Sequence, residues 1–254
     1  MEPAGRQLAS PLGQTSPLVK LGVAIGWFAG LAFTTDVRPP IVLACLALLA
    51  AIWFGSVDLE TLARGLAPLW IAALAIGAFN ALFAAVNLDP AATELARIGP
   101  FRLTHAALVG GLGLAARVVA FATVGIVFAQ TTDPTRLVDA LVQQARVSAR
   151  FAYGALAAYQ AVPRFAQDLA TLRQSRRIRG LAGSWHPRIL VGLLIQAIRH
   201  ADRLALAMDA RGFGVGPRTW YRQVRWTAMD GLLLVGGIVA LVVALGMGGI
   251  GGVD

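Results

Sequence analysis

The residues best suited to a specific contact are two arginines, each followed by a glycine where an amphipathic stretch ends. The pairs, with the alanine before the second, are Arg179–Gly180 in "RRIRGLAG" and Ala210–Arg211–Gly212 in "MDARGFG". Arginine complements the negative end of a helix dipole, and glycine adopts the left-handed cap, so helix capping alone explains each ending. An arginine at a helix end can also form a bidentate pair with a carboxylate of a partner. Because the ending occurs twice, the pattern suggests two equivalent docking points for a partner present in two copies.

Two long amphipathic helices must position these arginines. Apolar residues recur at alternating spacings of four and three, which is typical of one helix face. The first set is Phe151, Ala155, Ala158, Val162, Phe165, Leu169 and Leu172, and the second is Leu190, Leu194, Ala197, Ala201, Leu204 and Met208. Pro187 suits a first helical turn, so the second helix is predicted from Pro187 to about Arg211. We expect the helices to pack on each other or to lie against a membrane surface, and the stripes alone need only hold the domain together.

Two further charged residues are candidate supporting residues. Asp209 precedes Arg211 by two positions and could orient it, although a solvated charge near a helix end explains it equally well. Arg117 lies in the middle of an apolar run, where a charge is costly and suggests a function. It could pair with a partner subunit or contact the charged segment, or it could mark a bent or shallow helix and extend to the interface.

Composition indicates an integral membrane protein. Of 254 residues, 57% are hydrophobic and only 14% are charged, about half the usual share in soluble proteins. The single cysteine, Cys45, excludes an intrachain disulfide framework. The three histidines are widely spaced and show no metal-ligand pattern, so no metal site is predicted.

Five apolar runs predict an all-α, polytopic fold with about five transmembrane helices. The runs cover residues 18–35, 40–56, 66–87, 106–130 and 227–250. The predicted organisation is a flexible N-terminal tail (1–17), transmembrane helices one to four (18–130), a cytoplasmic domain of long amphipathic helices (131–226), and a last transmembrane helix with a short tail (227–254).

The distribution of charge predicts the orientation. Residues 164–225 hold twelve arginines and three aspartates, and therefore account for the whole formal net charge of +9. A nucleic-acid-binding surface is one interpretation of such a run, but the positive-inside rule explains it more simply. The N-terminus and residues 131–226 are therefore predicted to be cytoplasmic, the loop 88–105 and the C-terminus to lie outside, and no nucleic acid to be bound.

The second arginine motif and its continuation resemble a known family. "ADRLALAMDARGFG" and "GPRTWYRQVRWTAMDGLLL" closely resemble the signature of the transmembrane T component of energy-coupling factor transporters, the family that includes permease subunits of cobalt and biotin uptake systems. "TTDPTRLVDAL" (131–141) resembles the family's entry into its cytoplasmic domain. The resemblance covers residues 105–232, and the first hundred residues share little more than hydropathy. The first ending departs from the family's Ala-Arg-Gly because Ile178 replaces the alanine.

This resemblance implies a coupling subunit in the plasma membrane of a prokaryote, and not a catalyst. Such subunits link two cytoplasmic ATPase subunits to a separate membrane subunit that binds the substrate, a vitamin or a transition-metal ion. The resemblance implies that the two arginine-bearing ends dock in grooves of the ATPases and that Gly180 and Gly212 permit close backbone approach. No cofactor is expected on this chain, since ATP and magnesium would be bound by the ATPases.

Two other classes of protein compete with this interpretation. An intramembrane lipid-modifying enzyme needs clustered carboxylates or histidines, and here the acidic residues are scattered. A stand-alone secondary transporter favours repeats of its spans, and the sequence shows none. There is also no Walker-type phosphate loop and no nucleophile elbow, so ATP would have to be handled by another chain.

Overall fold

The computed structural model describes residues 7, 9–34, 36–88, 93–98, 101–181, 186–216, 219–220 and 222–248. The chain divides into two compact units, each described by itself below. Unit 1 comprises residues 1–137 and 225–254, and unit 2 comprises residues 138–224. The cytoplasmic location predicted for residues 131–226 stays a prediction.

Unit 1 is built from apolar helices, several of which begin at a proline that supplies the fixed φ of a first turn. They are α1 (Pro11–Gln14), α2 (Pro17–Ala32), α3 (Arg38–Trp53), α4 (Leu59–Phe83), α5 (His105–Thr131) and α9 (Ala228–Gly248). Helix α6 (Pro134–Gln143) begins in unit 1 and ends in unit 2. Among the described residues, three segments are long and apolar enough to cross a bilayer: Leu59–Asn87, His105–Thr131 and Ala228–Gly248. Helices α2 and α3 are apolar but have only 16 residues each. The predicted all-α, polytopic membrane fold is confirmed.

The third predicted run was placed too late in the chain. Helix α4 begins at Leu59 and not at residue 66, because it includes a polar first turn in which Glu60 and Arg64 form an exposed ion pair. Pro68 lies inside the same helix. The prediction missed this turn because it followed hydropathy alone.

The core of unit 1 lies where α2, α3, α5 and α9 meet. Leu31, Leu43, Ala120 and Ala244 are fully buried there. Phe28 of α2 packs edge-on against Phe121 of α5, with ring centroids 5.0 Å apart. Helices α4 and α5 approach closely, since a Cβ added at Gly111 would lie 2.5 Å from the carbonyl oxygen of Gly77.

The N-terminal segment, residues 1–17, was predicted to be a flexible tail, and the structure shows a short helix within it, α1. Its residues 9–16 are ordered against unit 1, and Leu12 and Ser16 are buried. The Ser10 hydroxyl accepts the Gly13 amide at 3.0 Å and so caps α1. The polar composition that suggested a tail instead supplies this cap and several backbone contacts, while residues 1–6 lie outside the described residues.

A short hairpin precedes α5, in the segment predicted to be an external loop. Strands β1 (Glu94–Ile98) and β2 (Phe101–Thr104) pair in antiparallel fashion. The buried Asn87 side chain joins this hairpin to the end of α4. Its amide nitrogen donates to the Ala81 carbonyl at 2.7 Å, and its oxygen accepts the Thr104 amide at 3.1 Å. Four- and five-residue strands leave the fold class all-α.

Unit 2 contains the two long helices that the apolar stripes predicted. Helix α7 spans Ala149–Ile178 with Pro163 inside it, and α8 spans Pro187–Ala210. Residues of both stripes line one groove between the helices: Ala158, Phe165, Ala197, Ala201, Leu204 and Met208. The stripe of α7 does not pack along its whole length, since Phe151 is 74% exposed.

Candidate functional site

The end of α7 is closed by a Schellman motif, the paired backbone hydrogen bonds that terminate many helices. Arg179 is the C-cap residue, and Gly180 follows with φ +68°. The Gly180 amide donates to the Arg177 carbonyl at 3.1 Å, and the Leu181 amide donates to the Arg176 carbonyl at 3.2 Å. The backbone therefore fixes where the Arg179 side chain leaves the helix.

The end of α8 has the same construction. Arg211 is the C-cap residue, and Gly212 follows with φ +70°. The Gly212 amide donates to the Asp209 carbonyl and the Phe213 amide to the Met208 carbonyl, both at 2.9 Å. The two ends thus match bond for bond, although their sequences share only the Arg-Gly pair.

Both arginines and both glycines are exposed. No atom of the described residues lies within 4 Å of a Cβ built on Gly180 or on Gly212, so packing among these residues does not require either glycine. Each is required by its positive φ, which other residues adopt only at a cost.

The two arginines lie at opposite ends of an antiparallel helix pair. The Arg150 guanidinium, at the start of α7, donates to the Gly214 carbonyl just after α8, at 3.2 Å. Farther along the pair, a Cβ on Gly192 would lie 3.6 Å from the Leu172 side chain. At 1.5 Å per residue, the stretch of α7 from Arg150 to Arg179 places the two ends about 40 Å apart. The arginines therefore cannot form one site on a small ligand.

The two predicted supporting residues lie in different units, Asp209 in unit 2 and Arg117 in unit 1. Asp209 is exposed, and among the described residues no ion pair connects it to Arg211; only its backbone carbonyl takes part in the cap. Arg117 lies in α5 of unit 1 and is half-buried. Its Nε is buried without a hydrogen-bond partner among the described residues.

Histidine, cysteine and carboxylate side chains are scattered in the part of the chain that the structure describes. No three histidine, cysteine, aspartate or glutamate side chains lie close enough to hold a metal ion. Guanidinium groups exposed at helix ends can bind carboxylates or phosphates.

Comparison with known proteins identifies the family. The model of the family described as "CbiQ: Cobalt transport protein" matches residues 9–221 of this chain. The chain belongs to this family.

Individual relatives refine this assignment. The T-component protein EcfT of Limosilactobacillus fermentum, named an energy-coupling factor transporter transmembrane protein, is 29% identical over 244 residues, covering 89% of this chain and 88% of that protein. The EcfT of Heliobacterium modesticaldum is 27% identical over 241 residues and 88% of each chain. The EcfT of Thermotoga maritima is 46% identical over 57 residues, 21% of each chain. The predicted membership of the T components of energy-coupling factor transporters is confirmed.

One group of charged residues in this T component escaped the sequence analysis. Lys20, Arg136 and Asp230 are far apart in the sequence but converge on the N-terminal segment of unit 1. A lysine at the start of an apolar helix and an aspartate at the start of another are usual at membrane boundaries, so neither signalled a contact. Only the fold brings them together.

Proposed function

We propose that this T component couples two cytoplasmic ATPase subunits to a separate membrane subunit that binds the substrate. The carrying observation is the pair of matching, arginine-bearing helix ends about 40 Å apart on one helix pair. Two copies of one partner could each bind one of these ends, because the local backbone is the same at both. A separation of this size suits two subunits, each docked on one end.

The proposed contact is a bidentate pair between each arginine and an acidic group of an ATPase groove. Planar guanidinium suits such a contact because it presents two parallel donors to a carboxylate. Gly180 and Gly212 leave the space beside each arginine empty, so a partner backbone could approach closely. Ala210, at the last position of α8, adds little bulk there.

The proposed energy transfer is mechanical. ATP and magnesium would be bound by the ATPases, and closure of the ATPases would displace the two helix ends relative to each other. Helices α7 and α8 would carry that displacement to the substrate-binding subunit. The transported substrate is proposed to be a vitamin or a transition-metal ion, selected by that other subunit.

The proposed orientation follows from the charge of the two units. Residues 138–224 hold thirteen arginines, no lysine and four acidic residues, a net charge of +9. The remaining residues hold nine basic and nine acidic side chains and are neutral overall. The positive-inside rule therefore favours unit 2 and the N-terminus inside and the C-terminus outside.

The deciding experiment is a detergent pull-down of the whole chain from its native membrane. We expect the wild type to retain ATPase subunits and a small membrane protein, and an Arg179→Ala/Arg211→Ala variant to lose the ATPases. Removing one partner of a buried charged pair costs about 2–5 kcal/mol, which is more than tenfold in affinity at each end.

The matched control is Arg164→Ala/Arg203→Ala, which removes two exposed arginines from the interiors of α7 and α8. It should retain the ATPases. Equal loss in both double variants would mean that net positive charge, and not the helix ends, holds the partners. A wild type that purifies alone and transports by itself would instead favour a secondary transporter.

A further inference from the structure

The N-terminal segment lies where the chain leaves unit 1 and where it returns. The chain passes from unit 1 to unit 2 after Leu137 and returns at Arg225. Residues 13–16, from the end of α1 to the residue before α2, contact both of these connections through backbone groups. The Leu12 amide also donates to the Phe54 carbonyl at 2.9 Å, which ties the segment to the end of α3.

The outgoing connection is held by Arg136. Its Nη1 donates to the Gly13 carbonyl at 2.8 Å, and its Nη2 donates to the Gln14 carbonyl at 3.0 Å. Two bonds from one planar group to adjacent carbonyls fix both the position and the direction of the first turn of α6.

The returning connection is held by Asp230, which is 1% exposed. One carboxylate oxygen accepts the Ser16 amide at 2.6 Å. The other accepts the Thr227 amide at 2.8 Å and the Thr227 hydroxyl at 2.9 Å. Asp230, the third residue of α9, therefore reaches back to Thr227 just before the helix and attaches the start of α9 to the N-terminal segment.

Lys20 connects the segment to the end of α5. Lys20 is buried, with 7% of its surface exposed. Its ammonium donates to the Leu12 carbonyl at 3.1 Å and to the Thr131 carbonyl at 2.6 Å. Thr131 ends the helix that precedes the outgoing connection. Burying ionised groups is costly unless every charge is hydrogen-bonded, and here each of the three is.

We propose that Lys20, Arg136 and Asp230, called the junction cluster below, are positioning residues for energy coupling. The cluster fixes both chain connections of unit 2 to one segment of unit 1. Because the connections are held in place, a displacement of unit 2 moves the ends of α5 and α9. Without the cluster, the same displacement would only bend the connections. This inference rests on the proposed coupling function, to which it adds specific residues in the membrane unit.

The test uses the complete transporter reconstituted in vesicles, with ATP hydrolysis and substrate uptake measured on the same sample. The variants are Arg136→Gln and Asp230→Asn. Asparagine keeps the shape of aspartate but loses one of its two accepting oxygens and the charge. We expect uptake per ATP hydrolysed to fall about tenfold, within the usual range of coupling between sites, while ATP hydrolysis stays within about twofold of wild type.

The matched controls are Arg64→Gln and Asp58→Asn, at exposed positions of the same unit that should leave the ratio unchanged. Wild-type ratios in Arg136→Gln and Asp230→Asn would overturn the proposal. So would a parallel fall of hydrolysis and uptake, because that is the signature of a merely structural role.

A milder variant, measured by hydrogen exchange, tests the proposal if Arg136→Gln or Asp230→Asn fails to assemble into the transporter. Thr227→Val removes one of the three hydrogen bonds to Asp230 and keeps the buried charge. In the whole complex it should speed hydrogen exchange at the Ser16 and Thr227 amides and lower the ratio in the same direction. Unchanged exchange and an unchanged ratio would overturn the proposal. Failure of the coupling function itself would appear separately, as a wild type that retains no ATPases.

Discussion

At the scale of single residues, the two helix ends are defined by backbone conformation. Gly180 and Gly212 have φ near +70°, and no described residue occupies the space where their side chains would stand. The arginine before each glycine is exposed and makes no ion pair with any described residue. Glycine therefore sets the direction of the ending, and arginine supplies the group that a partner can recognise.

Replacing either glycine should cost stability through strain alone. We expect Gly180→Ala and Gly212→Ala each to destabilise the helix end by about 1 kcal/mol, because an L residue is disfavoured at this φ. Asparagine, which tolerates the left-handed region better, should cost less. Thermal unfolding of the purified chain in detergent measures both.

Gly154→Ala is the matched control for these glycines. Gly154 lies inside α7, also with no atom within 4 Å of an added Cβ, but its φ is not positive. Alanine there should stabilise the helix by about 0.5–1 kcal/mol. Destabilisation by all three substitutions alike would show that φ is not the cause.

At the scale of secondary-structure elements, α4 and α5 are held together by a close approach of their backbones. Glycines permit this contact at Gly77 and Gly111, where the carbonyl oxygen of each residue lies within 3 Å of the Cβ that the other would carry. Small residues allow membrane helices to gain van der Waals contact that larger side chains would prevent. Neighbouring Gly110 has no such contact.

The pair Gly111 and Gly110 gives a sharp test of this packing. Gly111→Ala should destabilise the chain by about 1–3 kcal/mol, because its methyl group would overlap backbone and cannot be accommodated by a rotamer change. Gly110→Ala, one position away on the same helix, should be neutral or slightly stabilising. Resistance to limited proteolysis in detergent distinguishes them, and similar losses would contradict the assigned interface.

Periodicity and caps were predictable from the sequence, and long-range contacts were not. The stripes located α7 and α8, and Pro187 and Gly212 located the ends of α8 correctly, because these signals are local. Gly22, Gly26 and Gly30 follow one another at four-residue spacing, a pattern that favours close helix packing. Among the described residues, only Gly30 of these three has such a contact, with Leu241. The junction cluster could not be predicted, because Asp230 meets Ser16 across more than two hundred residues.

At the scale of the whole molecule, charge separates the two units. Unit 1 is neutral overall and unit 2 carries +9, although unit 2 is the smaller part of the chain. Charged segments of this sign are retained on the cytoplasmic side during insertion. The hairpin of β1 and β2, joined to α4 and α5, is then expected on the opposite side.

Cysteine labelling can test this orientation. In a Cys45→Ser background, Gln174→Cys places a thiol on the exposed surface of α7, and Ala96→Cys places one on β1. A membrane-impermeant maleimide added to intact cells should label Ala96→Cys only. Inside-out vesicles should reverse the result, and labelling of Gln174→Cys in intact cells would contradict the orientation.

The unequal lengths of the helices in unit 1 have a consequence for the surrounding lipid. Helices α2 and α3, with 16 residues each, are about 24 Å long, whereas α5, with 27 residues, is about 40 Å long. A hydrocarbon layer is about 30 Å thick, so no single thickness matches all three. Short helices are accommodated by local thinning of the bilayer, by flanking side chains or by association with other helices, so we expect uptake by the reconstituted transporter to vary with bilayer thickness.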